Sequence, residues 1–287
     1  MLWLRAPAKV NLTLAVLGRR EDGLHEIESL VAFAGICDWL GYEPGETLAL
    51  EVDGRTAGEA GPLDDNLVLV AARALKRRAP EIRLGRFRLI KRLPAAAGLG
   101  GGSSDAAAAL RALAAANGLS PDEERVRAAA LETGADVPVC LCPRARVMRG
   151  VGEKLSPPVA LPAVFALLVN PRVQASTRLV FAALGLKPGE RREPEVPPIA
   201  VDTDAPLSLD TLALARNDLE AGAIAVAPAI AGALAVLRGV PDAKAAGMSG
   251  SGATSFALFD NRRSAERARR AIAAERPDWW VKATTLR

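Results

Sequence analysis

The chain has 287 residues, half of them hydrophobic and 24% charged, and its 37 Lys and Arg against 33 Asp and Glu leave a formal charge of +4. This composition can bury a core and excludes a disordered chain, while the scattered basic surplus gives no support to a nucleic-acid groove and suits a phosphorylated small substrate as well. Three cysteines (Cys37, Cys140, Cys142) without a CxxC pair, and one histidine, exclude a zinc site of the usual Cys/His kind, and no nucleophile elbow near His25 points to a Ser-His-Asp hydrolase.

Residues 9–17 alternate apolar Val10, Leu12, Leu14 and Val16 with smaller or polar neighbours, which predicts a strand stopped by Gly18. Residues 48–52 and 87–93 read as further short strands. Between them, 66–79 sets Leu67, Val70, Ala71, Ala74 and Leu75 at helical spacing. Asp65 is its candidate cap, and Lys76, Arg77 and Arg78 fall in the last turn, where cations meet the helix dipole favourably. A helix from Ser103 to Ala116 stops at Asn117-Gly118. Ser120-Pro121-Asp122-Glu123 then offers a capping box, with proline in the first turn, for a helix reaching about Thr133 and ending at Gly134.

Pro157, Pro158 and Pro162 mark the best boundary, giving an N-terminal domain over 1–156 and a C-terminal domain over 157–287. Beyond it come a strand at 163–170, a helix near 176–184, a polar, proline-rich loop at 187–198 and helices across 208–237. A strand at 254–259, a helix at 264–275 and a strand at 279–284 complete the order. The longest uncharged stretch, 221–237, falls short of the roughly 20 residues that span a bilayer. It holds Gly222, Pro228 and Gly232, so it reads as two buried helices meeting at the proline, and no membrane association is expected. Residues 1–9 lack the apolar run of a secretory leader, and with the odd cysteine count this predicts a reducing, cytoplasmic setting. Strands and helices alternate irregularly, with hairpin-like pairs, which predicts an α+β fold.

The strongest local pattern is Pro94-Ala-Ala-Ala-Gly98-Leu99-Gly100-Gly101-Gly102-Ser103-Ser104-Asp105, running into a long helix. Exposed N–H groups at a helix start, with the positive end of its dipole, make an anion site, and Ser103 and Ser104 add hydroxyl donors where caps belong. Three consecutive glycines also suit a flexible turn. The run is neither a Walker A box, since no Gly-Lys-Ser/Thr follows, nor GxGxxG, since Ser103 takes the last glycine position.

That run resembles the second motif of the GHMP kinases. Ala6-Pro7-Ala8-Lys9-Val10-Asn11-Leu12 resembles the first, with Gly23-Leu24-His25-Glu26-Ile27 following at the family distance. Gly134-Ala135-Asp136-Val137-Pro138 and Met248-Ser249-Gly250-Ser251-Gly252-Ala253 complete the set, which spans nearly the whole chain. Within the superfamily the combination is similar to the branch that phosphorylates cytidine diphosphate-linked methylerythritol in the non-mevalonate isoprenoid route. The resemblance implies an N-terminal domain like ribosomal protein S5 domain 2 and a ferredoxin-like C-terminal domain. It implies ATP, as its magnesium complex, phosphorylating the 2-hydroxyl of a small-molecule substrate.

By the same resemblance Asp136 accepts the proton of that hydroxyl, with Lys9 beside it to hold it ionised and orient the alcohol. Taken singly, Asp136 also suits an N-cap and Lys9 a solvated strand position. Pro94, Gly98, Leu99, Gly100, Gly101, Gly102, Ser103 and Ser104 would cradle the ATP phosphates, and Asn66 would lie near the adenosine, or simply start a helix. No carboxylate cluster identifies magnesium ligands. His25 would hydrogen-bond the cytosine, since a neutral imidazole carries one donor and one acceptor. Asn11, Thr177, Gly250 and Gly252 would border the same substrate, and Phe181 would stack on one face of the base or serve as core. The family usually has tyrosine before that histidine; here Leu24 stands there, with loss of an offset-stacking contact worth on the order of 1 kcal/mol. Asn217-Asp218-Leu219-Glu220 also matches the family without an assigned chemistry, and the Trp279-Trp280 and Cys140/Cys142 pairs read as buried packing. Two alternatives stand beside this reading: a GHMP kinase for another alcohol such as mevalonate or homoserine, and a nucleotide-binding module without catalysis. Lys9 and Asp136 together argue against the latter, since a binder needs neither.

Overall fold

The computed structural model describes residues 1–162, 164–193, 207–214 and 216–287. The expectations at Ala163 and at 194–198 therefore lie outside the described residues. The N-terminal segment is almost all strand, with β1 (Leu2–Asn11), β2 (Ala15–Arg19), β3 (His25–Pro44) and β4 (Ala49–Gly54). The strand expected at 9–17 is thus divided, with β1 starting at Leu2. Gly18 does not stop β2. It pairs with Glu26 across an irregularity after Val16, where an extra residue bends the strand without ending the ladder. β3 escaped the sequence reading because Leu30, Val31, Ala32, Phe33 and Ala34 are all buried, so two covered faces replace the period-2 pattern with a continuous apolar run.

Next come α1 (Leu67–Arg78), β5 (Gly85–Lys91), α2 (Gly101–Ala116), α3 (Glu124–Thr133) and α4 (Val137–Leu141). The cap of α1 is Asn66 and not Asp65, its side chain accepting from the Val68 N–H at 3.0 Å. α2 starts two residues earlier than expected, winding Gly101 and Gly102 into its first turn, with Gly100 left-handed at φ 57° before it. The 120–123 turn forms its capping contacts, Glu123 accepting from the Ser120 N–H at 2.8 Å, but the helix begins after it. The remainder is β6 (Arg146–Gly150), β7 (Lys154–Leu155), β8 (Val164–Asn170), α5 (Thr177–Ala182), α6 (Leu209–Ala213), α7 (Glu220–Val226), α8 (Ala229–Arg238), β9 (Ala245–Met248), β10 (Ser255–Phe259), α9 (Arg262–Glu275) and β11 (Trp280–Leu286). α7 and α8 meet at Pro228, as the 221–237 pattern indicated. The class is α+β.

The chain divides into two compact units that interleave along the sequence. One holds Met1–Lys9, Ile36–Ala95 and Gly100–Pro143. In it β5 lies between β4, which runs parallel to it, and the 39–44 part of β3, which runs antiparallel. Tyr42 and Phe87 pack with ring centroids 5.0 Å apart, and the Tyr42 hydroxyl donates to the Leu84 carbonyl at 2.8 Å. α2 is apolar nearly all round. Ala106–Ala109, Leu110 and Ala112–Ala114 are buried, as a helix enclosed by α1, α3 and α4 requires.

The other unit holds Val10–Gly35, Ala96–Leu99 and Arg144–Arg287. Its strands run in the order β3, β11, β8, β10, β9, all antiparallel to their neighbours. Phe33 and Arg287 exchange backbone hydrogen bonds at 2.9 and 3.0 Å. One apolar cluster gathers Leu14, Val16, Val180, Leu219, Ile230, Leu234 and Met248, and a second gathers Leu167, Val169, Leu237, Phe259, Ile272 and Val281. Among the described residues no helix is long and apolar enough to cross a membrane.

Candidate active site

Lys9 and Asp136 stand far apart in sequence and together in space. Lys9 sits near the end of β1 with its side chain 4% exposed, and its Nζ lies 3.0 Å from Asp136 Oδ1. Asp136 occupies the position before α4 but makes no side-chain capping bond there. The capping alternative is therefore not taken, and Pro138, in the first turn, removes one N–H that would otherwise want a cap. With 40% of its side chain exposed, Asp136 presents carboxylate to solvent while Lys9 holds it from within.

The glycine run meets this pair directly. A Cβ on Gly100 would stand 3.1 Å from Lys9 Cε; one on Gly101 would stand 3.6 Å from Lys91 Nζ; one on Gly102 would stand 3.3 Å from Leu67. On these sides the missing Cβ atoms leave room for the side chains of Lys9, Lys91 and Leu67. What remains for an anion is the row of amides. The first i→i−4 bond of α2 is Ser104 N–H to Gly100 O at 2.8 Å, so the N–H groups of Gly101, Gly102 and Ser103 precede the helix ladder at its positive end. Ser104 turns inward: buried, its hydroxyl donates to the Pro7 carbonyl at 2.7 Å and lies 3.4 Å from Cys140 Sγ. Pro94 and Leu99 are likewise buried, so their side chains belong to the support of the loop. Asn66 commits its carbonyl oxygen to capping α1. Burial pushes the Cys140 thiol up to about 12, so it is inert. Cys142 is exposed, against the expectation of buried packing.

The other unit gathers the remaining candidates. His25 opens β3, with its ring 4.6 Å from that of Phe181, tilted by 34°. Phe181 packs on the apolar cluster as well, so it is both core and ring partner. Burial, and then the Arg19 charge, lower the His25 pKa from 6.5, favouring a neutral imidazole. Leu24, beside it, is 52% exposed. The Thr177 and Ser251 hydroxyls hydrogen-bond at 2.8 Å. Asn11 donates its Nδ2 to Ser29 Oγ at 2.7 Å and its backbone N–H to Ser249 Oγ at 3.0 Å.

Two glycine turns pack backbone against backbone here. Ser249 Oγ donates to the Gly98 carbonyl at 2.8 Å and the Thr254 N–H to the Ala97 carbonyl at 3.0 Å. Any Cβ on Gly98 would collide with Ser249 O at 2.3 Å, and one on Gly250 would stand 3.3 Å from Asn11 Oδ1. Gly252, at φ 84°, takes a backbone region that L side chains rarely adopt. Asn217, given no chemistry by its sequence, ties this loop together. Its Nδ2 donates to the Met248 and Gly250 carbonyls, both at 2.8 Å, and its Oδ1 accepts from the Leu219 N–H at 2.9 Å. Only the Asn-Asp-Leu-Glu pattern itself pointed to it.

Among the described residues no group of three His, Cys, Asp or Glu side chains could hold a metal ion. With Asp136 paired to Lys9 and Ser104 turned inward, the residues here do not build a protein cradle for magnesium.

Family comparison agrees with this geometry. The profile of the GHMP kinase N-terminal domain matches residues 66–144, and that of the GHMP kinase C-terminal domain matches 207–278. A protein of Methylorubrum extorquens named 4-diphosphocytidyl-2-C-methyl-D-erythritol kinase is 56% identical over 288 aligned residues, covering 100% of this chain and 99% of its own. One of Xanthobacter autotrophicus with the same name is 57% identical, covering 99% and 98%. The crystal structure of a 4-(cytidine 5'-diphospho)-2C-methyl-D-erythritol kinase superposes with a TM-score of 0.77 at 35% identity, covering 99% of both chains. The homoserine kinase of Cytophaga hutchinsonii, at 15% identity and a TM-score of 0.71 over 99% and 93%, shares the fold.

Proposed function

Given that the chain belongs to the GHMP kinase family and is an ATP-dependent small-molecule kinase, we propose that it phosphorylates the 2-hydroxyl of 4-diphosphocytidyl-2-C-methyl-D-erythritol. The name shared by full-length relatives supports the substrate, and one observation carries the chemistry: the Lys9–Asp136 pair at 3.0 Å, set against Gly100 at the start of α2. Asp136 accepts the proton of the tertiary hydroxyl, and Lys9 balances its charge and orients the alcohol. A crowded alcohol is a weak nucleophile, so positioning counts as much as basicity. The Gly101, Gly102 and Ser103 amides take the phosphate oxygens at the positive end of α2, where charge redistributes during transfer. Gly98 and Ser104 hold that loop in shape from outside the amide row. Magnesium accompanying the nucleotide would screen the phosphate charge; the described side chains build no cradle for it.

His25 reads the cytosine edge as a neutral imidazole, Phe181 flanks the base and Leu24 covers its other face by apolar contact. Asn11 contacts the same substrate beside the 249–252 loop, where the Ser249 hydroxyl accepts its backbone N–H. Thr177, Gly250 and Gly252 border the diphosphate, and Asn66 the adenosine. The division expected at 156/157 lies between the two family profiles, while the compact units interleave and place residues 144–287 with 10–35. Metabolic enzymes of this kind, with no membrane-length helix among the described residues, fit a cytoplasmic setting.

The test is ATP consumption with cytidyl-methylerythritol, mevalonate and homoserine offered separately. Turnover of the first alone is expected. Turnover of either other alcohol without the first overturns the substrate assignment, and turnover of none overturns the kinase reading.

A further inference from the structure

Below the first turn of α2 lies a buried ionic group that the proposed chemistry does not use, although one of its members, Asp105, closes the glycine-rich motif. Lys91 Nζ, on β5, stands 2.5 Å from Asp38 Oδ2 and 2.8 Å from Asp105 Oδ2, with all three side chains no more than 6% exposed. The two acids are not equivalent. Asp38 Oδ1 also accepts the Arg92 and Leu93 N–H groups, at 2.5 and 2.8 Å, so both of its oxygens have donors. Asp105 Oδ1 is buried with no hydrogen-bond partner. One ammonium thus faces two carboxyls. With both charged the pocket holds a net −1; with a proton on Asp105 it is neutral, and the orphan oxygen no longer carries half of an uncompensated charge.

The pocket adjoins the amide row. Gly101, the first residue of α2, has Lys91 Nζ 3.6 Å and Asp38 Oδ2 3.8 Å from where its Cβ would stand. Asp105 is on the second turn of the same helix. The charged groups acting on Asp105 are Lys91 from β5 and Asp38 from β3; among the described residues α1, α3 and α4 bring no ion-pair partner to it. Lys9 and Asp136 act instead on Cys140 in α4.

We propose that Lys91, Asp38 and Asp105 form a proton-holding positioning cluster for the amide row, so that a polyphosphate binding there draws one proton from solvent onto Asp105. The sign follows from charge: an anion arriving at Gly101–Ser103 raises the cost of a net −1 pocket beneath it, and protonating Asp105 removes that cost. Burial, only partly offset by Lys91, pushes the Asp105 carboxyl up to about 7, so the proton is exchangeable in the neutral range. Burial also works to discharge Lys91, but the Asp105 and Asp38 charges outweigh it and raise its pKa, so the ammonium stays. The inference rests on the amide row being the nucleotide-phosphate site.

The test is calorimetric titration of the full chain with magnesium ADP, in two buffers of different ionisation heat, across pH 6 to 8.5. The wild type is expected to take up about half a proton or more between pH 7 and 8, and little below pH 6, where Asp105 is already protonated. Asp105→Asn, isosteric and always neutral, should lose at least two-thirds of that uptake while still binding the nucleotide. Equal uptake in both proteins, or a wild-type uptake flat over the whole pH range, overturns the cluster's role alone. The flat-profile criterion needs no variant to fold. Absence of any magnesium ADP binding by the folded wild type overturns the phosphate reading, and this inference with it.

Discussion

Replacing Asp136 by Asn separates the proposed chemistry from the fold. At 3.0 Å the Lys9–Asp136 attraction is ~5 kcal/mol for an effective dielectric near 20, yet Asp136 is 40% exposed and well screened. The net worth of the pair to stability is therefore nearer that of an exposed pair, ~1 kcal/mol, and Asn keeps an oxygen to accept from Lys9. A thermal midpoint within a few degrees of wild type follows. Turnover has a different ledger, because Asn can neither accept the proton nor balance Lys9 during transfer. General-base removal costs roughly 100- to 10,000-fold, and a loose phosphoryl-transfer transition state places this case at the lower end, ~100- to 1,000-fold in kcat. The KM for ATP should move less than about threefold, since the phosphate-binding amides are not altered. Steady-state kinetics by coupled ADP release, with melting curves alongside, reads all three. A kcat within about threefold of wild type would refute Asp136 as proton acceptor, whatever the melting curve shows.

Leu24→Tyr restores an aromatic beside the His25–Phe181 pair, and offset stacking worth ~1 kcal/mol lowers the KM for the cytidine-bearing substrate about fivefold; an unchanged KM counts against a cytosine at that face. His25, whose pKa is lowered by burial and then by Arg19, stays neutral to lower pH in the folded chain than its unfolded value of 6.5. Its contribution to stability is intact above 6.5 and is lost as pH falls from there through the lowered folded value. Over the same window the KM for the cytidine substrate should rise while that for ATP stays level. A KM that rises equally in His25→Ala would show that another group reads the pH.

How much of this was legible before folding depended on whether the information was local. The elements α1, α2 and α3 announce themselves through periodicity and stop residues such as Asn117-Gly118 and Gly134, and each lies within a few residues of its reading. β3 was hidden because burial on both faces erases alternation. No spacing rule pairs Lys9 with Asp136; motif resemblance suggested both, and only the fold brings them together. Glycine composition drew attention to the 98–104 loop, but which side chains lie where its Cβ atoms are missing is a tertiary question. Ser104 illustrates the same limit: a hydroxyl near a helix start reads as a donor to solvent until the Pro7 carbonyl is seen beneath it. Asn217 and Asp105 carry no local mark of what they hold.

The hydrogen bonds between Phe33 and Arg287 set a timetable for biosynthesis. All the parts of the Met1–Lys9, Ile36–Ala95 and Gly100–Pro143 unit have left the ribosome by the time residue 143 emerges. The Val10–Gly35 ribbon has not met its last partner, because β11 is translated some 250 residues later. Until then the Phe33–Ala34 end of β3 is a short open strand edge, lacking the partners Arg287 and Leu286 supply, and closing so distant a pairing is entropically slow. Holding that edge apart from other chains is the task a chaperone would meet first.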